Sequence, residues 1–205
     1  MNKSEFFSTW SSLHGQARVS GIVKWWLNIS YFIVRPLAKL RVTPNGLTVL
    51  GLVFGVLLYL NSNSLWALLF LILSLLSDGL DGSMAIVTQK FSKWGAMLDS
   101  VTDRATEVFW VLALYSIGVN INILIAVFLF SFVQEYLRAR AGGVGVNEVG
   151  VVTFAERPVR AAFVFVVLVA YNLDLKILDS IILIWLLLQL ISLLKISRYI
   201  FLKLN

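Results

Sequence analysis

Six apolar stretches follow one another from residue 46 onward, near 46–60, 65–84, 96–117, 121–139, 158–172 and 177–202. A helix needs about 20 residues to cross a bilayer, so each stretch reads as a span, some completed by less apolar turns at their ends. The connections at 61–64, 118–120 and 173–176 are short enough to force neighbouring helices antiparallel. Composition agrees, because 59% of the 205 residues are hydrophobic, 14% are charged and the mean hydropathy is +0.87. A soluble domain carries about 25% charged residues, so a soluble globule is excluded. The expected fold is an all-α integral membrane protein, with a six-helix transmembrane domain over 46–205. With no cysteine, disulfides and thiolate metal sites are excluded.

Residues 1–45 form a different segment. Lys24-Trp25-Trp26-Leu27 through Tyr31-Phe32-Ile33-Val34-Arg35 mixes aromatic, aliphatic and basic residues over a stretch too polar to span. An amphipathic helix lying in the interface, tryptophans at headgroup depth, fits it. It ends at Arg41-Val42-Thr43-Pro44-Asn45, where Thr43 or Asn45 can cap the helix that follows. Residues 1–20 are polar and mixed and do not read as a cleaved signal peptide. The positive-inside rule leaves Lys176 alone among the basic residues on the outer side, so both termini are expected at the cytoplasmic face of the cell membrane. The net charge of +6 then points to anionic lipid surfaces and anionic ligands; no nucleic-acid-binding fold accompanies it.

The chemistry concentrates in aspartates. Asp78 and Asp81, three apart, close the second span, and Asp99 and Asp103, four apart, open the third. Each pair shares one helix face, and a tight loop lets the pairs face each other. A charged side chain at mid-membrane depth costs about 2.5–3.5 kcal/mol, less near the interface, and four converging carboxylates also repel. One or two hard divalent cations resolve both problems, because all-oxygen ligands suit Mg²⁺ or Mn²⁺. Two such ions can clamp a diphosphate and stabilise attacking and leaving oxygens together. Helix capping with pairing to Lys90, Lys93 and Arg104 would account for one or two of these acids. An ion relay in a membrane carrier would also use intramembrane acids.

The run Asp78-Gly79-Leu80-Asp81-Gly82-Ser83-Met84-Ala85, followed by Gly95-Ala96-Met97-Leu98-Asp99-Ser100-Val101-Thr102-Asp103, resembles the signature of the CDP-alcohol phosphotransferases, D-x-x-D-G-x-x-A-R then G-x-x-x-D-x-x-x-D. Spacing and residues fit except at Ile86, where the pattern has arginine. The resemblance covers about residues 40–202 and includes Thr43-Pro44-Asn45 before the first span. It implies a metal-dependent transfer in which a CDP-linked lipid, CDP-diacylglycerol, gives its phosphatidyl group to an alcohol and CMP leaves. By motif matching, Asp78, Asp81, Asp99 and Asp103 would ligate two ions, Asp103 also acting as the base for the alcohol proton. Asn45, Gly82, Ala85 and Gly95 would line the donor nucleotide. The missing arginine is expected near the donor's nucleotide or diphosphate; Lys90 or Lys93 could supply that charge, or the chain could be a catalytically weak, regulatory homologue. A homodimer is implied by the family.

A second basic cluster lies in Glu135-Tyr136-Leu137-Arg138-Ala139-Arg140-Ala141 and Ala155-Glu156-Arg157-Pro158-Val159-Arg160, with Arg198 near the end of the last span. Arginines at cytoplasmic helix ends set topology, the role given to Arg140; their forks also suit phosphate. These blocks resemble the phosphatidylinositol-phosphate synthase branch, which implies that Arg138 (a lysine in that branch), Arg160 and Arg198 bind the phosphate of a small phosphorylated alcohol, inositol phosphate first and glycerol phosphate second; Arg157, at the same cytoplasmic mouth, is counted with them. The loop at 142–148 and the long aromatic N-terminal segment fit that branch less well. Pro158 suits the first turn of the fifth span. His14 reads as a solvated residue, Trp25, Trp26, Trp94 and Trp110 as interface anchors or packing, and Glu107 as a partner for Arg104 or another helix.

Overall fold

The structure is a computed structural model, and it describes residues 1–146 and 152–205. Among these residues all regular structure is helical: α1 (Lys3–Leu13), α2 (Gly21–Lys39), α3 (Pro44–Leu60), α4 (Trp66–Thr88), α5 (Lys93–Ser116), α6 (Ile121–Gly143), α7 (Arg157–Asn172) and α8 (Leu178–Leu204). The six apolar stretches correspond to α3–α8. Three helices, α4, α6 and α8, are long and apolar enough to cross a membrane as they stand; α2 and α3, bent by 108° at their break, qualify together as a fourth. Contacts divide the chain into two compact units, residues 1–54 with 72–106 and residues 55–71 with 107–205.

In the first unit, α2 buries Leu27, Ser30, Tyr31 and Val34, the spacing of one helical face. Its other side leaves Ile22, Trp25 and Phe32 exposed, so the helix is amphipathic. The break before α3 is made by Arg41, whose φ of 61° is left-handed. Of the two candidate caps for α3, Thr43 is the one used, its Oγ1 accepting the Gly46 N–H at 3.1 Å. Pro44 then begins α3, where its missing N–H costs nothing. Gly51 lets α3 approach α4 closely: a Cβ there would lie 3.3 Å from the Ser74 carbonyl, and Ser74 Oγ donates to the Gly51 carbonyl at 2.7 Å.

Two boundaries differ from the sequence reading. The loop expected over 85–95 is shorter, because α4 continues to Thr88 and stops at Gln89, which has a φ of 55°. The whole Asp78–Ala85 motif is therefore helical. Gly142 and Gly143, read as loop, complete α6; the remainder of that loop, with Asn147 and Glu148, lies outside the described residues. The sequence reading also gave no helix to residues 1–20. There α1 begins with a capping box, Asn2 Oδ1 accepting the Glu5 N–H and Glu5 Oε2 accepting the Asn2 N–H, both at 2.9 Å. Left-handed Gly15 and Gln16 then turn the chain toward α2.

In the second unit, α6 and α7 both pack on α8. On α8, Leu183, Ile184, Leu187, Leu190, Ile191 and Leu194 are exposed, whereas Gln189 and Ser192 are fully buried. Apolar outside with polar inside is the arrangement lipid demands, where interhelical hydrogen bonds hold the bundle. Ser131 Oγ donates to Gln189 Oε1 at 3.0 Å, Gln189 Nε2 to Gln134 Oε1 at 2.8 Å, and Gln134 Nε2 to Thr153 Oγ1 at 3.3 Å. The Ala155 N–H donates to Ser192 Oγ at 2.9 Å, so the segment before α7 is tied to α8.

Candidate functional site

Asp78 on α4 and Asp99 and Asp103 on α5, all half-buried, place carboxylate oxygens within 4.8 Å of one another. Helical periodicity explains this: Asp99 and Asp103 stand one turn apart on one face, and α5 is begun by Ser92, whose Oγ accepts the Gly95 N–H at 2.9 Å. Asp81 stands outside that triad; its Oδ2 accepts the Thr48 hydroxyl at 2.5 Å, which holds the carboxylate toward α3. The four aspartates thus form three plus one. An oxygen-only donor set of this kind suits a hard divalent cation, and neutralising the three carboxylates by an ion removes their mutual repulsion.

Beside the aspartates lies a cavity of about 380 Å³, lined by Asp78, Asp81 and Asp99 and by all four residues expected at the donor, Asn45, Gly82, Ala85 and Gly95. The small residues matter physically. A Cβ on Gly82 would meet nothing within 4 Å, so it would project into open space, and one on Gly95 would lie 3.1 Å from Asn45 Oδ1. At Gly79 the reason for glycine is close packing. A Cβ there would come within 2.7 Å of the Trp26 ring, so glycine is what lets that indole lie against α4 and wall the cavity. Lys90, one of the two lysines considered in place of the missing arginine, also lines it.

Among the wall residues that escaped the sequence reading of the site are Trp10, Leu13, His14 and Thr48. His14, read as merely solvated, and Trp26, read as an anchor, both face this cavity. The available signal for the first three was the Asn2-to-Glu5 spacing ahead of Phe6-Phe7, an N-terminal helix signature. Ile86 is buried with Phe6, Leu27 and Tyr31 in an apolar cluster and also contributes to the cavity wall, as an apolar side chain.

The arginines belong to the second unit. Arg160, 1% exposed, pairs with Glu107 at 3.0 Å and with Glu135 at 2.5 Å. Arg138 forks onto Glu156 at 2.7 and 2.5 Å and lies 3.6 Å from Glu135. A chain of alternating charge results, Glu107–Arg160–Glu135–Arg138–Glu156. Glu107 therefore has a partner on another helix, Arg160 of α7. Burial alone would raise the Glu156 carboxyl, but hydrogen bonds from Arg138 and Thr153, with the Arg138 charge, lower it to about 2. Arg157 lies over the Trp110 ring at 5.7 Å, and Arg198 is exposed on α8.

Fold and cavity together define an all-helical membrane protein with a carboxylate-lined ligand site. The family model described as CDP-alcohol phosphatidyltransferase matches residues 41–194, and the chain belongs to that family. It is a metal-dependent membrane transferase of phospholipid synthesis. It is 33% identical over 144 residues to phosphatidylinositol phosphate synthase of Cutibacterium acnes, covering 64% of this chain and 70% of the relative. It is also 33% identical over 142 residues to archaetidylinositol phosphate synthase of Pyrococcus horikoshii, covering 65% and 73%. Among solved structures, the fold matches Mycobacterium tuberculosis phosphatidylinositol phosphate synthase (PgsA1) with CDP-DAG bound, at a TM-score of 0.71 and 23% identity over 84% of this chain and 94% of that one. The same enzyme in complex with manganese and citrate matches at the same TM-score over 84% and 88%.

Proposed function

We propose that the protein transfers the phosphatidyl group of CDP-diacylglycerol to inositol phosphate, with release of CMP. The observation that carries this is the convergence of Asp78, Asp99 and Asp103 beside a cavity whose walls include each residue expected at a CDP-linked donor. Support for the acceptor comes from relatives named for inositol phosphate products; glycerol phosphate is the second candidate.

Two divalent ions, Mg²⁺ or Mn²⁺, held by Asp78, Asp81, Asp99 and Asp103, would neutralise the diphosphate and the charge that develops on it. The Thr48 hydroxyl fixes the Asp81 carboxylate. Asn45, the open side of Gly82 and the small residues Ala85 and Gly95 admit the nucleotide. Asp103 accepts the proton of the acceptor hydroxyl as that oxygen bonds to the phosphatidyl phosphorus; the phosphorus–oxygen bond to CMP breaks and CMP carries away the electron pair. The acceptor's phosphate is assigned to Arg138, Arg157, Arg160 and Arg198. Since Arg138 and Arg160 are already engaged by glutamates, the phosphate would join a chain of alternating charge instead of meeting isolated cations.

The same reading takes α3–α8 as six spans, both termini on the cytoplasmic side of the cell membrane, and a homodimer as the working unit. The test is CMP release by the purified protein with CDP-diacylglycerol, Mn²⁺ and a panel of inositol phosphate, glycerol phosphate and unphosphorylated inositol, with Asp103→Asn as control. Release with inositol phosphate and not with inositol supports the reading; release with glycerol phosphate alone moves the acceptor. Cation flux in sealed vesicles without CMP release would favour a carrier.

A further inference from the structure

The N-terminal helix α1 belongs neither to the family match nor to the membrane bundle, yet it forms one wall of the cavity. An isolated helix of 11 residues is marginal in water, so α1 exists because it docks. Phe6 is fully buried against Leu27, Tyr31 and Ile86, with Phe7, Trp10 and Val19 packed around them, and the Tyr31 hydroxyl donates to the Met1 carbonyl at 3.1 Å. Ile86 sits at the floor of this contact, 2% exposed. It occupies the position where the motif has arginine, and a guanidinium there would be buried among three apolar side chains. The apolar residue at 86 and the docking of α1 therefore go together.

Docking sets two rings at the cavity. Trp10 and His14, one turn apart, stack with centroids 4.1 Å apart and planes 17° apart, and both line the cavity with Asp78, Asp81, Asn45 and Gly82. His14 Nδ1 lies 2.8 Å from the Trp10 carbonyl oxygen. A carbonyl can only accept, so Nδ1 carries a proton and Nε2 is the ring's remaining polar atom. Trp10, half-buried, also packs on the Phe6 cluster and so helps to seat α1, whereas His14 is exposed and takes no part in that cluster. A flat aromatic pair with one polar edge, beside carboxylates suited to a metal–diphosphate, matches a nucleobase.

We propose that the Trp10–His14 pair on α1, seated by Ile86, contacts the base of the CDP-linked donor and supplies donor affinity on the side where the motif arginine is absent. This rests on the cavity being the donor site. The test is calorimetric titration of the full-length protein with CMP in the presence of Mn²⁺, and with Mn²⁺ alone, for wild type, His14→Ala and Trp10→Ala. Stacking on a base is worth roughly 5- to 150-fold in affinity. The expected result is CMP binding weakened by that factor in Trp10→Ala, less in His14→Ala, with Mn²⁺ affinity unchanged and a raised donor KM at unchanged kcat. Because His14 is exposed, His14→Ala leaves folding intact and keeps the proposal testable if Trp10→Ala misfolds. Wild-type CMP binding with both variants equal to it would overturn this proposal alone. Absence of CMP binding by wild type would overturn the donor-site reading with it.

Discussion

Replacing Arg160 by methionine isolates the energetics of the buried charge chain. The guanidinium is 1% exposed and touches Glu107, whose side chain is 5% exposed, and Glu135, which keeps Arg138 at 3.6 Å. The loss in Arg160→Met therefore falls chiefly on Glu107, the more buried of the two acids. Breaking a buried pair by removing one partner costs about 3–5 kcal/mol, because a buried charge loses its compensation. At about 2–4 °C per kcal/mol for a chain of this size, the loss is a fall of about 6–20 °C in the thermal midpoint. Thermal unfolding of purified protein in detergent, followed by tryptophan fluorescence, reads it. Arg160→Met with Glu107→Gln removes both charges and should recover most of the loss, since a neutral pair of similar volume often matches a buried ion pair. A single variant within about 1 kcal/mol of wild type, or a double variant no better than the single, would refute this account.

Other consequences are equally direct. Thr48→Val removes the hydroxyl that holds Asp81, and loss of such a support should weaken metal affinity or activity about 10- to 100-fold, measured by Mn²⁺ titration. Gly79→Ala places a methyl 2.7 Å from the Trp26 ring; the indole must move, costing about 1–3 kcal/mol in thermal stability and raising the donor KM. Glu156 is held at about 2 against an ordinary 4.5. Its folded value is the lower one, so its contribution, about 3 kcal/mol, is fully present above pH 4.5 and is lost as pH falls toward 2. Midpoints measured across that window should fall in wild type and change less in Glu156→Gln.

What the sequence disclosed follows from which forces are periodic. Apolar runs of span length and aspartates three and four apart are local patterns, so α3–α8 and the convergence of Asp78, Asp99 and Asp103 were legible. The position of Asp81 was not, because a hydroxyl 33 residues away draws it aside. The charge chain was half-visible: Glu107 was expected to find a basic partner, but that Arg160 would be nearly inaccessible depends on packing among α5, α6 and α7. Residues 1–20 show the limit most clearly. Their polarity hid an 11-residue helix stabilised by its cap and by docking through Phe6. Ile86 read as a loss within the motif, whereas its burial against Phe6 gives it a packing role that no single-residue comparison contains.

The central claim is that the aspartate triad holds divalent metal and thereby drives phosphatidyl transfer. CMP release from CDP-diacylglycerol in the presence of inositol phosphate tests it, measured with Mn²⁺, with chelator, and in Asp99→Asn. Metal-dependent release in wild type, abolished by chelator and by the substitution while the thermal midpoint is kept, is the predicted result. Release that survives chelation, or that persists in folded Asp99→Asn, would contradict it.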